Sequence, residues 1–117
     1  MKKDVLLIGL LFLLGFIHLP AQGSTLRKAD TLWIKTSAQC EICKETIEKA
    51  LAYERGIIFS ELDLKTKEVK VIFNPDKTTP EKIRQAISNA GYDADDVRAN
   101  PKAYQRLPRC CKKPQDR

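Results

Sequence analysis

Histidine is almost absent: His18 is the single one in 117 residues. It lies in an apolar leader expected to be removed, so the folded part has no imidazole for a zinc site or for a His-assisted nucleophile. Aromatic residues are scarce as well, at 7%, and through most of the chain the basic residues are interleaved with acids. A sequence with few stacking residues and interleaved charges is a poor nucleic-acid surface; only Arg98 to Arg117 has a concentrated positive balance. No apolar run reaches the roughly 20 residues needed to cross the hydrocarbon layer. The longest, Val5 to Leu19, is closed by Pro20. The first cysteine is Cys40, far from the end of that run, which excludes a lipid attachment there.

The run itself is informative. It follows Lys2 and Lys3 and leads into Ala21-Gln22-Gly23, the small-x-small pattern a signal peptidase cuts. Residues 1–23 therefore read as an export signal, with an uncleaved anchor as the alternative, and the mature chain from Ser24 to Arg117 is expected to be periplasmic or secreted. A chain of that length makes one domain with a modest core. Without the leader, 19 Lys and Arg against 14 Asp and Glu give a formal charge of +5, which favours solubility and attraction to an acidic partner or an anionic membrane surface, without bearing on fold. The four cysteines all fall in the mature part. In an oxidising compartment they can form disulfides or bind metal, and their number does not choose between the two.

Beyond a polar lead-in over 24–30, hydrophobic periodicity gives the elements. Residues 31–35 predict a strand, with Leu32 and Ile34 on one face and Trp33 on the other, exposed or covered by the tail. From Glu41 to Tyr53, Cys43, Ile47, Ala50 and Leu51 recur at helical spacing and Gly56 ends the segment. Residues 57–64 and 68–73 predict two strands whose buried faces carry Leu62 and Leu64, then Val69, Val71 and Phe73. They are close enough to form a hairpin, although 65–67 lack an Asn-Gly turn. Thr79 with Pro80 is one start for the second helix; Thr78 with Glu81, as a capping box, is the other. Ile83, Ala86, Ile87 and Ala90 line its face and Gly91 stops it. A last strand over 94–99 is weakened by Asp95 and Asp96. The order β-α-β-β-α-β, with one apolar face per helix, predicts an α+β two-layer sandwich over 31–99. Residues 100–117 form a tail with a short helical stretch before Pro108 and a cysteine pair.

Cys40-Glu41-Ile42-Cys43 places two thiols where the first strand ends and the first helix begins. Sulfurs with two residues between them can converge on one ion, and the unpaired amides of a helix N-terminus favour negative charge, which lowers a thiol pKa. Thiolates are soft donors suited to Cu(I), Hg(II) and, less well with only two ligands, Zn(II). A structural disulfide and a thiol-disulfide exchange pair are the alternatives. No Trp stands immediately before Cys40 and no enzyme-like motif surrounds it, which weakens the redox alternative. Lys82 and Arg84 are candidates for docking an acidic partner, against the plainer reading of a solvated helix face. Cys110 and Cys111 do not bond each other without strain. They are left as additional metal ligands, as partners in a disulfide to the Cys40–Cys43 site, or as an intermolecular link.

The stretch from Thr31 to Val97 resembles the heavy-metal-associated domain family: small copper chaperones, periplasmic mercury-binding proteins and the N-terminal metal-binding units of P-type metal-transporting ATPases. The resemblance rests on Cys40 and Cys43 before Ile47, on Thr79-Pro80-Glu81 and on Gly91-Tyr92. It implies a ferredoxin-like fold, Cys40 and Cys43 as the metal ligands, and Tyr92 near the metal loop. It also implies a carrier or sequestering protein that works without a chemical reaction, is monomeric when reduced, and passes its ion to a membrane metal transporter or another thiolate carrier. The family loop reads Gly-Met-x-Cys-x-x-Cys; here Ser37 and Ala38 stand in the Gly and Met places. Ala38 predicts looser packing beneath the loop, or compensation from another side chain.

Overall fold

The computed structural model describes residues 28–117; the leader with His18, and most of the lead-in, lie outside the described residues. Strand β1 (Asp30–Lys35) enters helix α1 (Glu41–Ala52), followed by β2 (Ile57–Asp63), β3 (Glu68–Phe73) and helix α2 (Pro80–Asn89). The sheet is antiparallel with order β1-β3-β2, Leu32 opposite Val71 and Leu62 opposite Val69. β3 is central because every second residue, Val69, Val71 and Phe73, is apolar and buried. The core is completed by Ile34, Ile47, Leu51, Leu62, Ile83 and Ile87, all buried, with Leu32 and Leu64 packed at its margin. Two helices on one face of an antiparallel sheet form the expected α+β sandwich.

The opposite face is open. Trp33 is 57% exposed, with the Lys70 ammonium 5.6 Å from its ring centroid, so the tail does not cover it. Ile72, off the strict alternation, is half-buried and pairs with Phe59, beyond an irregularity in register between Ile57 and Phe59.

Turn chemistry differs from expectation in instructive ways. The β2–β3 connection works without glycine because Lys67 itself takes a positive φ of 63°. The turn is tied by the Lys67 amide on the Asp63 carbonyl at 2.6 Å and by the Lys65 amide on the Asp63 carboxylate at 2.8 Å. At α2 the two possible starts are resolved in favour of Thr79, whose hydroxyl accepts the Lys82 amide at 3.2 Å; the buried Thr78 hydroxyl makes no hydrogen bond.

The expected last strand over 94–99 is reduced to isolated bridges, Thr36 with Ala94 and Ala94 with Val97. Asp95 has φ 53° and curls the chain into a turn in which the Ala94 and Val97 amides each donate to the other's carbonyl. Asp95 caps the free edge of β1 instead of extending it. Its carboxylate accepts the Lys35 amide at 2.9 Å, its own amide donates to the Lys35 carbonyl at 2.8 Å, and Arg84 pairs with it at 2.9 Å. Arg84, considered above for docking, is thus engaged within the chain. Three short pieces end the fold: helix α3 (Pro101–Gln105) and the 3-10 turns Arg109–Cys111 and Pro114–Asp116.

Candidate metal centre

The loop between β1 and α1 is held by hydroxyls. Thr36 Oγ1 donates to the Lys67 carbonyl at 2.8 Å and accepts the Ala38 amide at 3.2 Å. Ser37 Oγ accepts the Asp93 amide at 2.9 Å, which ties the loop to the segment after α2. Cys40 follows with extended backbone as the residue before α1, the place where Ser, Thr, Asp or Asn normally accepts a first-turn amide. It makes no side-chain cap hydrogen bond, so the first-turn amides remain available to negative charge. Cys43, one turn later, is fully buried on the core side of the helix.

All four thiols are free, and they converge. The Cys40 sulfur lies 3.4 Å from that of Cys43, 2.8 Å from Cys110 and 3.5 Å from Cys111; Cys110 and Cys111 are 3.9 Å apart. The sulfurs of Cys40, Cys110 and Cys111 all fall within 4.8 Å of one another. With metal–sulfur bonds of about 2.3 Å, a trigonal site spaces its sulfurs about 4 Å apart, so the cluster is the right size to close on a soft ion after small adjustments.

A set of polar clamps brings the tail there. The Asn100 amide donates to the Ser88 carbonyl at 2.9 Å, while its side chain caps α3 through the Ala103 amide at 3.1 Å. Gly91, at φ 104°, lets the tail approach: a Cβ there would sit 3.1 Å from the Ala103 carbonyl and 3.2 Å from Leu107 Cδ2. The Tyr104 hydroxyl donates to Asp116 at 2.6 Å and accepts the Lys113 amide at 2.9 Å. Lys113 Nζ reaches the Asp93 carboxylate at 2.7 Å, and Arg117 donates to the Cys110 carbonyl at 3.2 Å. Cys111 ends in the core with 1% exposure.

The electrostatics single out Cys40. Burial raises its pKa, but the Cys110 thiol, the nearby Cys43 amide and thiol, and the Cys111 thiol favour the thiolate, outweigh burial and hold it at about 7. Cys110 is pushed up, first by its hydrogen bond to Cys40 and then by burial. Burial, followed by the Cys43 thiol, pushes Cys111 up. Of Cys40, Cys110 and Cys111, Cys40 is therefore the first to ionise. Asp93 is held below its ordinary range: burial opposes this, but Lys113 and the Ala99 amide prevail.

Of the residues singled out by sequence, Cys40, Cys43, Cys110 and Cys111 come together at this one place. Tyr92 is fully buried beside them. Its hydroxyl makes no hydrogen bond, and burial, then the Cys111 and Cys43 thiols, raise its pKa. Ala38 is also fully buried, and Cys111 and Tyr92 belong to the same core cluster. Sequence reasoning missed Ser37, Asp93, Tyr104 and Lys113 as the parts that fix loop and tail; nothing in periodicity marks a contact between two loops.

Residues 37–93 match the heavy-metal-associated domain. Copper chaperone CopZ of Staphylococcus epidermidis is 39% identical over 54 residues, covering 46% of this chain and 79% of that protein. The mercuric transport protein periplasmic component of Shewanella putrefaciens is 38% identical over 65 residues, or 56% of this chain and 70% of that one. Among solved structures, oxidized MerP from Ralstonia metallidurans CH34 superposes with a TM-score of 0.56 at 25% identity, covering 58% of this chain and 96% of its own. The family match ends at Asp93, short of Cys110 and Cys111.

Proposed function

Because the chain belongs to the heavy-metal-associated domain family, we propose that it is an exported carrier of a soft metal ion, Cu(I) or Hg(II) ahead of Zn(II). Cys40 and Cys43 receive the ion, and a membrane transporter or another thiolate carrier takes it onward. The observation that carries this reading is the Cys40 thiol: it sits at a helix N-terminus with other sulfurs around it and ionises near pH 7. A thiolate available at neutral pH binds a soft cation without first losing a proton at a cost. The names of the relatives, a copper chaperone and a periplasmic mercuric transport component, support the same cargo class. Export is supported by Lys2, Lys3 and the apolar run ending at Pro20.

Delivery follows from ligand exchange. An incoming thiolate bonds the ion, the weaker of the two bonds to Cys40 and Cys43 breaks, and the released sulfur takes up a proton; a second incoming thiolate then displaces the remaining cysteine in the same way, and no electron is transferred. Titration of the reduced protein with Cu(I), Hg(II) and Zn(II), read by native mass spectrometry, is expected to give one tightly held soft ion, lost in the C40S/C43S variant. Equal retention by that variant, or insulin reduction that depends on Cys40, would count against the carrier reading. Fractionation of producing cells tests export: the expected product begins near Ser24 outside the cytoplasm.

A further inference from the structure

We propose that Cys110 and Cys111 form an acceptor built into the chain: with Cys40 as common ligand, they draw the ion from the Cys40–Cys43 pair into a three-sulfur site and retain it. This inference rests on the reading of Cys40 and Cys43 as the point of entry.

Three independent observations carry it. Cys40 lies within 3.5 Å of each of the other three sulfurs, so an ion on Cys40 exchanges its second ligand without leaving the protein. The tail is also built into place: Lys113 on Asp93, Tyr104 between Asp116 and the Lys113 amide, and Arg117 on the Cys110 carbonyl converge to hold Cys110 and Cys111 at the loop. Five residues from three segments are committed to presenting two thiols, although the polar end of the chain has little apolar surface to bury. Finally, the Tyr92 hydroxyl is buried and makes no hydrogen bond. A buried donor without an acceptor is costly, and the sulfur of the adjacent Cys111, once bonded to the ion, would supply one.

The exchange balances. The Cys110 and Cys111 thiols release their protons as their sulfurs bond the ion, the bond to Cys43 breaks, and Cys43 takes up one proton. Three sulfurs hold the ion more firmly than two, and the docked tail stands where a partner's thiolates would attack. The chain is thereby biased toward sequestration, and delivery requires the tail to be displaced.

The test is X-ray absorption of the Cu(I)-loaded protein together with competition by a bidentate Cu(I) chelator, on the wild type, C110S/C111S, and the clamp variant K113A/Y104F, which keeps every thiol. The expected result is three sulfurs in the wild type and two in C110S/C111S, with the chelator concentration for half-removal falling at least about tenfold in C110S/C111S and in the same direction in the clamp variant. Two sulfurs in the wild type with equal retention by all three proteins would overturn the acceptor role while leaving Cys40 and Cys43 as the carrier site. A wild type that retains no sulfur-bound ion would overturn both.

Discussion

The body of the molecule, from Asp30 to Asn89, and the tail after Asn100 are held by different forces. In the body, apolar side chains at periods of two and 3.6 meet in one core, and Ile34, Ile47, Val69 and Ile83 are wholly buried. The tail contributes Cys111 to that core and Leu107 to its margin, and otherwise depends on ion pairs and hydrogen bonds such as Lys113 to Asp93 and Tyr104 to Asp116. Non-directional burial scales with area and supplies most folding free energy, whereas half-exposed polar contacts contribute about 1 kcal/mol or less each. The body should therefore stand without the tail, and the tail should loosen first.

The largest effect expected is on the body. Ile47→Ala should cost about 2–5 kcal/mol through lost burial and a residual cavity, read as a lower urea midpoint with tail and sheet unfolding together. A loss below about 1 kcal/mol would mean that α1 is not anchored where the structure places it. Gly91→Ala should cost about 1–3 kcal/mol, because a side chain at φ 104° is strained and meets Ala103. Here the damage should fall mainly on the tail, seen as faster proteolysis after Asn100 with the sheet intact; simultaneous loss of both would erase the contrast between the regions.

Smaller effects test the seam. Iodoacetamide labelling of Cys40 should rise through a midpoint of about pH 7. In C110A/C111A, which lacks the Cys110 and Cys111 hydrogen bonds that favour the thiolate, the midpoint should move upward; an unmoved midpoint would detach the tail from the loop. The smallest effect is at acid pH. The folded pKa of Asp93 is depressed, so its contribution is complete above its ordinary carboxylate value of about 3.9 and is lost as pH falls through the lower folded value. Amide protection in the tail should drop across that window before the sheet responds, and Asp93→Asn should remove the pH dependence.

The same contrast explains what was legible in the sequence. Leu62, Val69, Val71 and Ile87 announce their faces by periodicity, and Thr79-Pro80 and Gly91 mark helix ends by local chemistry. Asp95 defeated that logic: a strand was expected around it, but its carboxylate finds the Lys35 amide 60 residues away and turns the chain instead. Lys67 likewise adopts the left-handed backbone usually left to glycine. Cys40 and Cys43 were readable because their spacing is local. The meeting of Cys40 with Cys110 depends on contacts between loops, such as Asp93 with Lys113, and such contacts leave no repeating pattern.

Both regions meet at the Cys40 sulfur, and the central claim is that one ion engages them together. The most direct test loads the reduced protein with one equivalent of Hg(II), alkylates the remaining thiols, and maps the labels by mass spectrometry. Protection of Cys40, Cys110 and Cys111 in a monomer is the predicted result. Protection of Cys40 and Cys43 alone, with Cys110 and Cys111 labelled as fast as in the unfolded chain, would contradict it.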